Sequence, residues 1–322
     1  MSDPILSVEN LSRHFRVGGF RSAGTLHATD DVSFEVSASE IVALVGESGS
    51  GKSTIARVLA GLYPPTSGSI VFEGQRQGKQ ASRKVRGRMP MVFQDPFGSI
   101  NPVLRVGHSL ERSLKLHRPE LDKAGREREA VTLVEKVGLL PGAEVLRRYP
   151  HELSGGQRQR LGFAQALASR PSLILADEPV SMLDVSIRIG LLNVMRSLRD
   201  DEHVSLLYIT HDLASARYVA DRMIVLYAGR IVEEGTTEEV ISNPSHPYTR
   251  LLMATAPDPR LPLSHETDVE DLGEPPKVIN PGPGCRFAPR CPLASDECRS
   301  STPAMVQLSP TKRVACFAVK GS

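Results

Sequence analysis

A chain of 322 residues, 40% hydrophobic and 24% charged, can bury one large α/β core plus an appendage, or two modest domains. Its formal charge of +2 is close to balance, so nothing in it calls for a nucleic-acid or anionic-membrane partner. The opening lacks a basic stretch followed by a sustained apolar run, so no secretory leader is expected, and no apolar run approaches the ~20 residues of a membrane-crossing helix.

Leu6-Ser7-Val8-Glu9 and Val32-Ser33-Phe34-Glu35-Val36 alternate as half-buried strands do, and residues 18–24 between them read as a flexible excursion. Ile41-Val42-Ala43-Leu44-Val45 is a continuous apolar run ended by Gly46, which suits a central strand buried on both faces. After Lys52 the period turns helical through Ile55, Val58, Leu59 and Leu62 until Pro64-Pro65 stops it. Residues 75–88 are basic and read as a solvated loop. From about Val106 to Leu140 the pattern is helical and amphipathic, within a helical subdomain placed at about 100–165. Leu173–Ala176 and Ser205–Thr210 are strands with helices beside them, and this alternation argues for a mostly parallel α/β sheet. Ile224–Glu233 reads as a hairpin turned near Gly229. Thr236 and Glu239 make a capping box, and Pro247 sits in the first turn of a further helix. Residues 256–284 hold seven prolines and read as an extended linker between a 1–255 domain and a 285–322 extension that carries all four cysteines. No long internal repeat is present, so a single unit is expected.

Gly46-Glu47-Ser48-Gly49-Ser50-Gly51-Lys52-Ser53-Thr54 matches G-x-x-x-x-G-K-[ST] between a buried strand and a helix. Its glycines let backbone N–H groups turn inward around phosphate oxygens, and the helix N-terminus adds partial positive charge. Lys52 can reach the β- and γ-phosphates of ATP while the Ser53 hydroxyl coordinates Mg²⁺. Leu173-Ile174-Leu175-Ala176-Asp177-Glu178 delivers two carboxylates to a strand's C-terminal end, where ligands collect in open α/β sheets. Asp177 would serve the Mg²⁺ shell, and Glu178 would polarise the attacking water as general base. Leu153-Ser154-Gly155-Gly156-Gln157 opens a helix running through Leu161, Ala164 and Leu167, a second phosphate-facing helix N-terminus. One site with a P-loop does not need another such surface, so this one makes sense facing a different subunit's nucleotide.

With these motifs in this order, the sequence from about residue 5 to residue 255 resembles the ABC-transporter ATPases. The resemblance implies a P-loop domain with a mostly parallel sheet core, an antiparallel β subdomain and a helical subdomain. It further implies that Gln94 is the Q-loop residue sensing Mg²⁺ and water, and that Ser181-Met182-Leu183-Asp184 is the D-loop crossing a dimer interface. Met182 stands where a small residue is usual. His211 matches the switch histidine that contacts the γ-phosphate, and Phe15, with Phe20 as competitor, is the aromatic expected to stack on adenine. Met91–Pro102, Arg148–Arg160, His246-Pro247-Tyr248-Thr249 and Gly284–Pro292 look like the oligopeptide/dipeptide importers, the first stretch most like their F-type ATPase. That implies a related D-type partner subunit, two transmembrane permease subunits, an extracytoplasmic solute-binding protein and a place on the cytoplasmic face of the inner membrane. Dipeptides, longer peptides, nickel and glutathione all remain open as transported solutes. A soluble ABC ATPase acting on ribosomes or DNA is the rival, but such proteins usually carry paired nucleotide domains or basic arms.

Cys285, Cys291, Cys298 and Cys316 follow the pattern C-x5-C-x6-C-x17-C. A metal site competes here with a disulfide reading: four thiolates can complete a [4Fe–4S] cluster or a tetrahedral Zn²⁺ site, or stay as free thiols in a small fold. The spacing matches neither the common zinc-ribbon pattern nor the ferredoxin run. The importer resemblance implies a [4Fe–4S] cluster, as in some members of that family.

Overall fold

The computed structural model describes residues 4–18, 24–78, 83–95, 101–255 and 278–319. Two long strands open the chain, β1 (Leu6–Val17) and β2 (Gly24–Val36), paired antiparallel with register shifts that bend them around the core. The expected short strands are thus only the most regular parts of longer ones. β3 (Ile41–Val45) follows, then helix α1 (Lys52–Leu59) and strands β4 (Ser67–Phe72) and β5 (Gln75–Arg76). Strands β2-β1-β4-β5 form a four-stranded antiparallel sheet.

The basic stretch 75–88 is not simply a solvated loop. It contains β5 and helix α2 (Arg83–Arg88), and it ends on Met89, which is 1% exposed. Arg88 pairs with Glu73 at 2.7 Å, so contacts with the rest of the domain order residues whose composition alone reads as surface. After β6 (Met91–Val92) the helical part comprises α3 (Val106–His117), α4 (Lys123–Lys136), α5 (Gly142–Arg147) and α6 (Gly155–Leu167). The amphipathic pattern over 106–140 is therefore two helices. Arg118 breaks it, buried and donating to the carbonyls of Leu167 and Ala168 at 3.1 and 2.9 Å while pairing with Glu129.

Alternation then resumes with β7 (Leu173–Asp177), α7 (Val185–Asp200), β8 (Ser205–Thr210), α8 (Leu213–Val219), β9 (Arg222–Tyr227) and β10 (Arg230–Thr236). Ala228 and Gly229, both at positive φ, turn the last two into the expected hairpin. Helix α9 (Thr237–Ser242) carries the capping box predicted at Thr236 and Glu239, and α10 (Pro247–Thr255) starts at its proline. β3 lies parallel between β9 and β8, with β7 and β6 continuing the parallel order. Its side chains divide two cores: Ile41, Ala43 and Val45 pack toward the helical side, Val42 and Leu44 toward α1 and the antiparallel sheet.

Residues 256–277 of the expected linker lie outside the described residues. From Val278 on, the chain is already paired to β2: the His27 N–H donates to the Val278 carbonyl and the Asn280 N–H to that of Thr25, both at 2.9 Å. The cysteine-bearing segment continues through α11 (Asp296–Ser300), β11 (Val306–Gln307) and β12 (Arg313–Val314). β12 pairs with β10, so this segment extends the main sheet to eight strands. Lys312 and Glu233, both buried, close that seam with an ion pair of 3.0 Å. Among the described residues no helix is long and apolar enough to cross a membrane.

Candidate functional site

The loop from Gly46 to Gly51 links the end of β3 to the start of α1, and its glycines are dictated by what crowds it. A Cβ at Gly46 would stand 2.2 Å from the Leu226 carbonyl oxygen, and one at Gly51 2.2 Å from that of Ala28. Gly51 also has φ 106°, a left-handed conformation that other residues rarely adopt. Gly49, by contrast, would meet nothing, and with Ser48 it faces outward. Lys52 is buried at the base of the turn, its ammonium donating to the carbonyls of Gly46 and Glu47 at 2.7 and 2.8 Å. Burial pushes its pKa down to about 8, against the pull of the Glu178, Asp177 and Glu47 carboxylates. Thr54 follows on the first turn of α1.

Three neighbouring strands, β8, β7 and β6, end beside this loop, and between them they deliver His211, the Asp177–Glu178 pair and Gln94. Ser53 Oγ donates to Asp177 Oδ1 at 2.8 Å, and burial raises the Asp177 carboxyl above the usual range. Glu178 leaves β7 at φ 48° with its N–H on the Ile209 carbonyl at 2.9 Å, so the backbone is held in a conformation that costs on the order of 1–3 kcal/mol. Its carboxylate accepts from Gln94 Nε2 at 3.1 Å and lies 3.2 Å from His211 Nδ1. Gln94 also donates to Ser181 Oγ at 3.1 Å. Gln94, Asp177, Glu178 and His211, spread over more than a hundred positions in sequence, thus meet along one sheet edge.

Ser154, Gly155, Gly156 and Gln157 sit elsewhere. Ser154 caps α6, accepting from the Gln157 N–H at 3.2 Å while Gln157 Oε1 accepts from the Ser154 N–H at 3.0 Å. Gly156 is forced by Ile187 at the start of α7, whose Cγ2 would be 2.2 Å from an added Cβ. Ser154, Gly156 and Gln157 line an open cavity of about 500 Å³ with Gly138 and Arg148, and no hydrogen bond among the described residues joins them to the 46–54 loop. Asp184 caps α7 with its backbone only and is exposed, beside Met182 and Val185 at 67% and 70% exposure.

Residues 29–181 match the ABC transporter family, and residues 232–298 match the oligopeptide/dipeptide transporter C-terminal region. The probable peptide ABC transporter ATP-binding protein y4tS of Sinorhizobium fredii is 44% identical over 322 residues, covering 98% of this chain and 90% of that one. The chain belongs to the ATP-binding proteins of the oligopeptide/dipeptide ABC transporter family. The dipeptide transport ATP-binding protein DppF of Haemophilus influenzae is 40% identical, covering 98% of this chain and 96% of that one. A dimeric ATP-binding cassette in a post-hydrolysis state bound to ADP and Pi superposes with a TM-score of 0.64 at 26% identity, over 72% of this chain and 98% of that one. As an ABC ATPase, the chain hydrolyses ATP.

In this ABC ATPase Phe15 lies on β1 with the Arg13 guanidinium 4.4 Å over its ring and Tyr63 edge-on at 5.6 Å. Phe20, its competitor, lies outside the described residues. Cys285, Cys291, Cys298 and Cys316 are all free thiols lining one small cavity, together with His246 and Phe287. Burial raises the Cys285, Cys291 and Cys316 thiols, and the neighbouring sulfurs add to it. Tetrahedral Zn²⁺ with bonds of ~2.3 Å would hold the sulfurs about 3.8 Å apart. No three cysteines among the described residues bring their sulfurs within 4.8 Å of one another. Four thiols lining one cavity make an all-sulfur donor set, the chemistry that both zinc and iron–sulfur clusters take.

Sequence reasoning placed Glu47, Tyr248 and Arg290 within motifs but gave none of them a role of its own. The Glu47 N–H donates to Tyr248 Oη at 2.9 Å, and Arg290 holds the Glu47 carboxylate at 3.1 Å. These partners are 201 and 243 positions from Glu47, beyond any local pattern.

Proposed function

We propose that this ATPase powers a peptide importer, binding ATP with its phosphates in the 46–54 loop and adenine against the face of Phe15 not covered by Arg13. The observation that carries the reading is Glu178, hydrogen-bonded to Gln94 and set against His211 beside the Ser53–Asp177 pair. Ser53, Asp177 and Gln94 are the residues that would hold Mg²⁺, whose bound charge offsets that of the phosphates. Glu178 takes the proton of the attacking water, and His211 and Gln94 orient its carboxylate and read the γ-phosphate position. Lys52 turns from its own loop carbonyls to the β- and γ-phosphates.

Ser154, Gly155, Gly156, Gln157 and Asp184 face the nucleotide of a second ATPase subunit. The exposed Met182 and Val185 beside them suit burial in that interface. Closing two such subunits levers a permease between its two states, and hydrolysis reopens it. Gln159, one turn into the helix that Ser154 caps, donates to the Phe93 carbonyl beside Gln94 at 2.9 Å, which ties the two half-sites mechanically. The partners of this reading are a D-type ATPase beside this F-type chain, two transmembrane permease subunits and an extracytoplasmic solute-binding protein. The place of action is the cytoplasmic face of the inner membrane. Peptide as the cargo rests on relatives whose names specify peptide or dipeptide transport. Purifying the chain with its membrane partners and measuring ATP turnover tests it: di- or oligopeptide should stimulate, and stimulation by nickel or glutathione alone would overturn it.

Cys285, Cys291, Cys298 and Cys316 would hold a [4Fe–4S] cluster, which here would brace the extension. Anaerobically prepared protein is expected to be brown and to contain about four irons per chain. Colourless, iron-free material would overturn this assignment, and stoichiometric zinc would favour the mononuclear alternative.

A further inference from the structure

The five residues between Cys285 and Cys291 are anchored to the nucleotide domain at three points. Arg286 donates to Asp30 Oδ2 and to the Ala228 carbonyl, both at 2.5 Å. Phe287 is 2% exposed and packs edge-on against Tyr227, with ring centroids 5.1 Å apart, and at a tilt against Tyr248 at 5.5 Å. Arg290 reaches Glu47, the second residue of the phosphate-binding loop, with Nη1 at 3.1 Å from Oε2 and Nη2 at 3.4 Å from Oε1. It also donates to Tyr227 Oη at 3.4 Å. The pair is well enclosed, with the Arg290 side chain 12% exposed and that of Glu47 23% exposed. Tyr248, 0% exposed, takes the backbone N–H of the same Glu47. A carboxylate in a loop that receives a polyphosphate repels its ligand unless a cation neutralises it, and among the described residues Glu47 forms its ion pair with Arg290, a residue of the C-terminal extension.

We propose that Arg290 is a positioning residue of the nucleotide site, and that the cysteine-bearing extension supplies it. Arg290 neutralises Glu47 and, with Tyr248, holds the outer side of the phosphate-binding loop in its open turn. The cysteines at either end of the 286–290 segment set where Arg290 stands. The proposal rests on the reading of residues 46–54 as the phosphate site.

The test measures ATP affinity of the full-length chain by equilibrium binding. Arg290→Met is expected to raise the Kd for ATP about tenfold, more at low salt than at high, because a charge is left unpaired beside the triphosphate. Adding Glu47→Gln to Arg290→Met should bring the Kd back to within about threefold of the parent, since it removes the exposed repulsion. A role confined to folding of the extension predicts no such recovery. Arg290→Lys, which keeps the charge, should lose less than Arg290→Met. Cys291→Ala should weaken ATP in the parent but add little in the Arg290→Met background. An unchanged Kd in Arg290→Met, a double variant as weak as the single, or fully additive loss with Cys291→Ala would each overturn the proposal. Lys52→Ala separates the two readings. If it abolishes binding while Arg290→Met has no effect, the phosphate site stands and the positioning role falls. If Lys52→Ala leaves binding intact, the phosphate-site reading itself falls.

Discussion

Glu178→Gln is expected to lower ATP turnover of the assembled complex by about 10³-fold, within the range that positioned general bases contribute, while leaving ATP binding in place. The amide keeps the size of the carboxylate and can still accept from Gln94 Nε2, now 3.1 Å from Glu178 Oε2. The φ of 48° at this position is sustained by the backbone bond to Ile209 and by Ser181 Oγ donating to the Glu178 carbonyl at 3.0 Å, neither of which involves the carboxylate. The loop should therefore keep its shape and lose only the proton acceptor. ATP-bound subunits that close but cannot hydrolyse should accumulate as a dimer, visible as an ATP-dependent increase in mass by light scattering. Near-normal turnover in this variant would remove Glu178 from the catalytic role.

The second large effect is expected at Gly51, where an alanine should abolish measurable ATP binding, a loss of at least about 100-fold. An added Cβ would stand 2.2 Å from the Ala28 carbonyl oxygen, and its other near neighbours are the Ala28 carbonyl carbon and the Thr29 methyl. None of these is the free end of a flexible side chain, so relief requires moving β2 or the start of α1. The residue also sits at φ 106°, where a side chain adds strain of its own on the order of 1–3 kcal/mol. Both responses shift the N–H groups that line the loop by more than a hydrogen bond tolerates. Gly49→Ala makes the comparison sharp, because nothing lies within 4 Å of its added Cβ, leaving only the backbone cost of φ 77°. Nucleotide titration of both variants, with a thermal melt on each, separates lost binding from lost fold. Gly51→Ala with near-parent affinity would mean the loop does not bind phosphate in this shape.

The two variants probe features of unequal legibility. Gly51 and Lys52 belong to a contiguous pattern whose spacing follows from one turn of backbone around a phosphate, so it can be read without coordinates. The same holds for Ser154 and Gln157, whose reciprocal cap is a local bond between neighbours in sequence, and for the box at Thr236 and Glu239. Gln94 and His211 are different. Only their order relative to the other motifs singled them out, because their meeting at Glu178 depends on strands β8, β7 and β6 lying side by side.

The basic stretch 75–88 shows the limit from the other side. Composition predicts where a charge prefers to be, not whether a partner such as Glu73 will order it.

The 46–54 loop was determined by the sequence itself: a buried strand, glycines at the turn and a lysine opening a helix need only near neighbours to act. What holds that loop from outside was decided by the tertiary structure alone. Glu47 reads as an unconstrained position within the motif, yet its N–H and carboxylate are held by Tyr248 and Arg290, 201 and 243 positions away. The four cysteines likewise read as an appendage beyond a proline-rich linker. The pairing of β12 with β10 and the buried Lys312–Glu233 bridge instead stitch that appendage into the main sheet. Long-range pairing costs chain entropy whatever the local residues are, so only the assembled packing determines which distant groups meet.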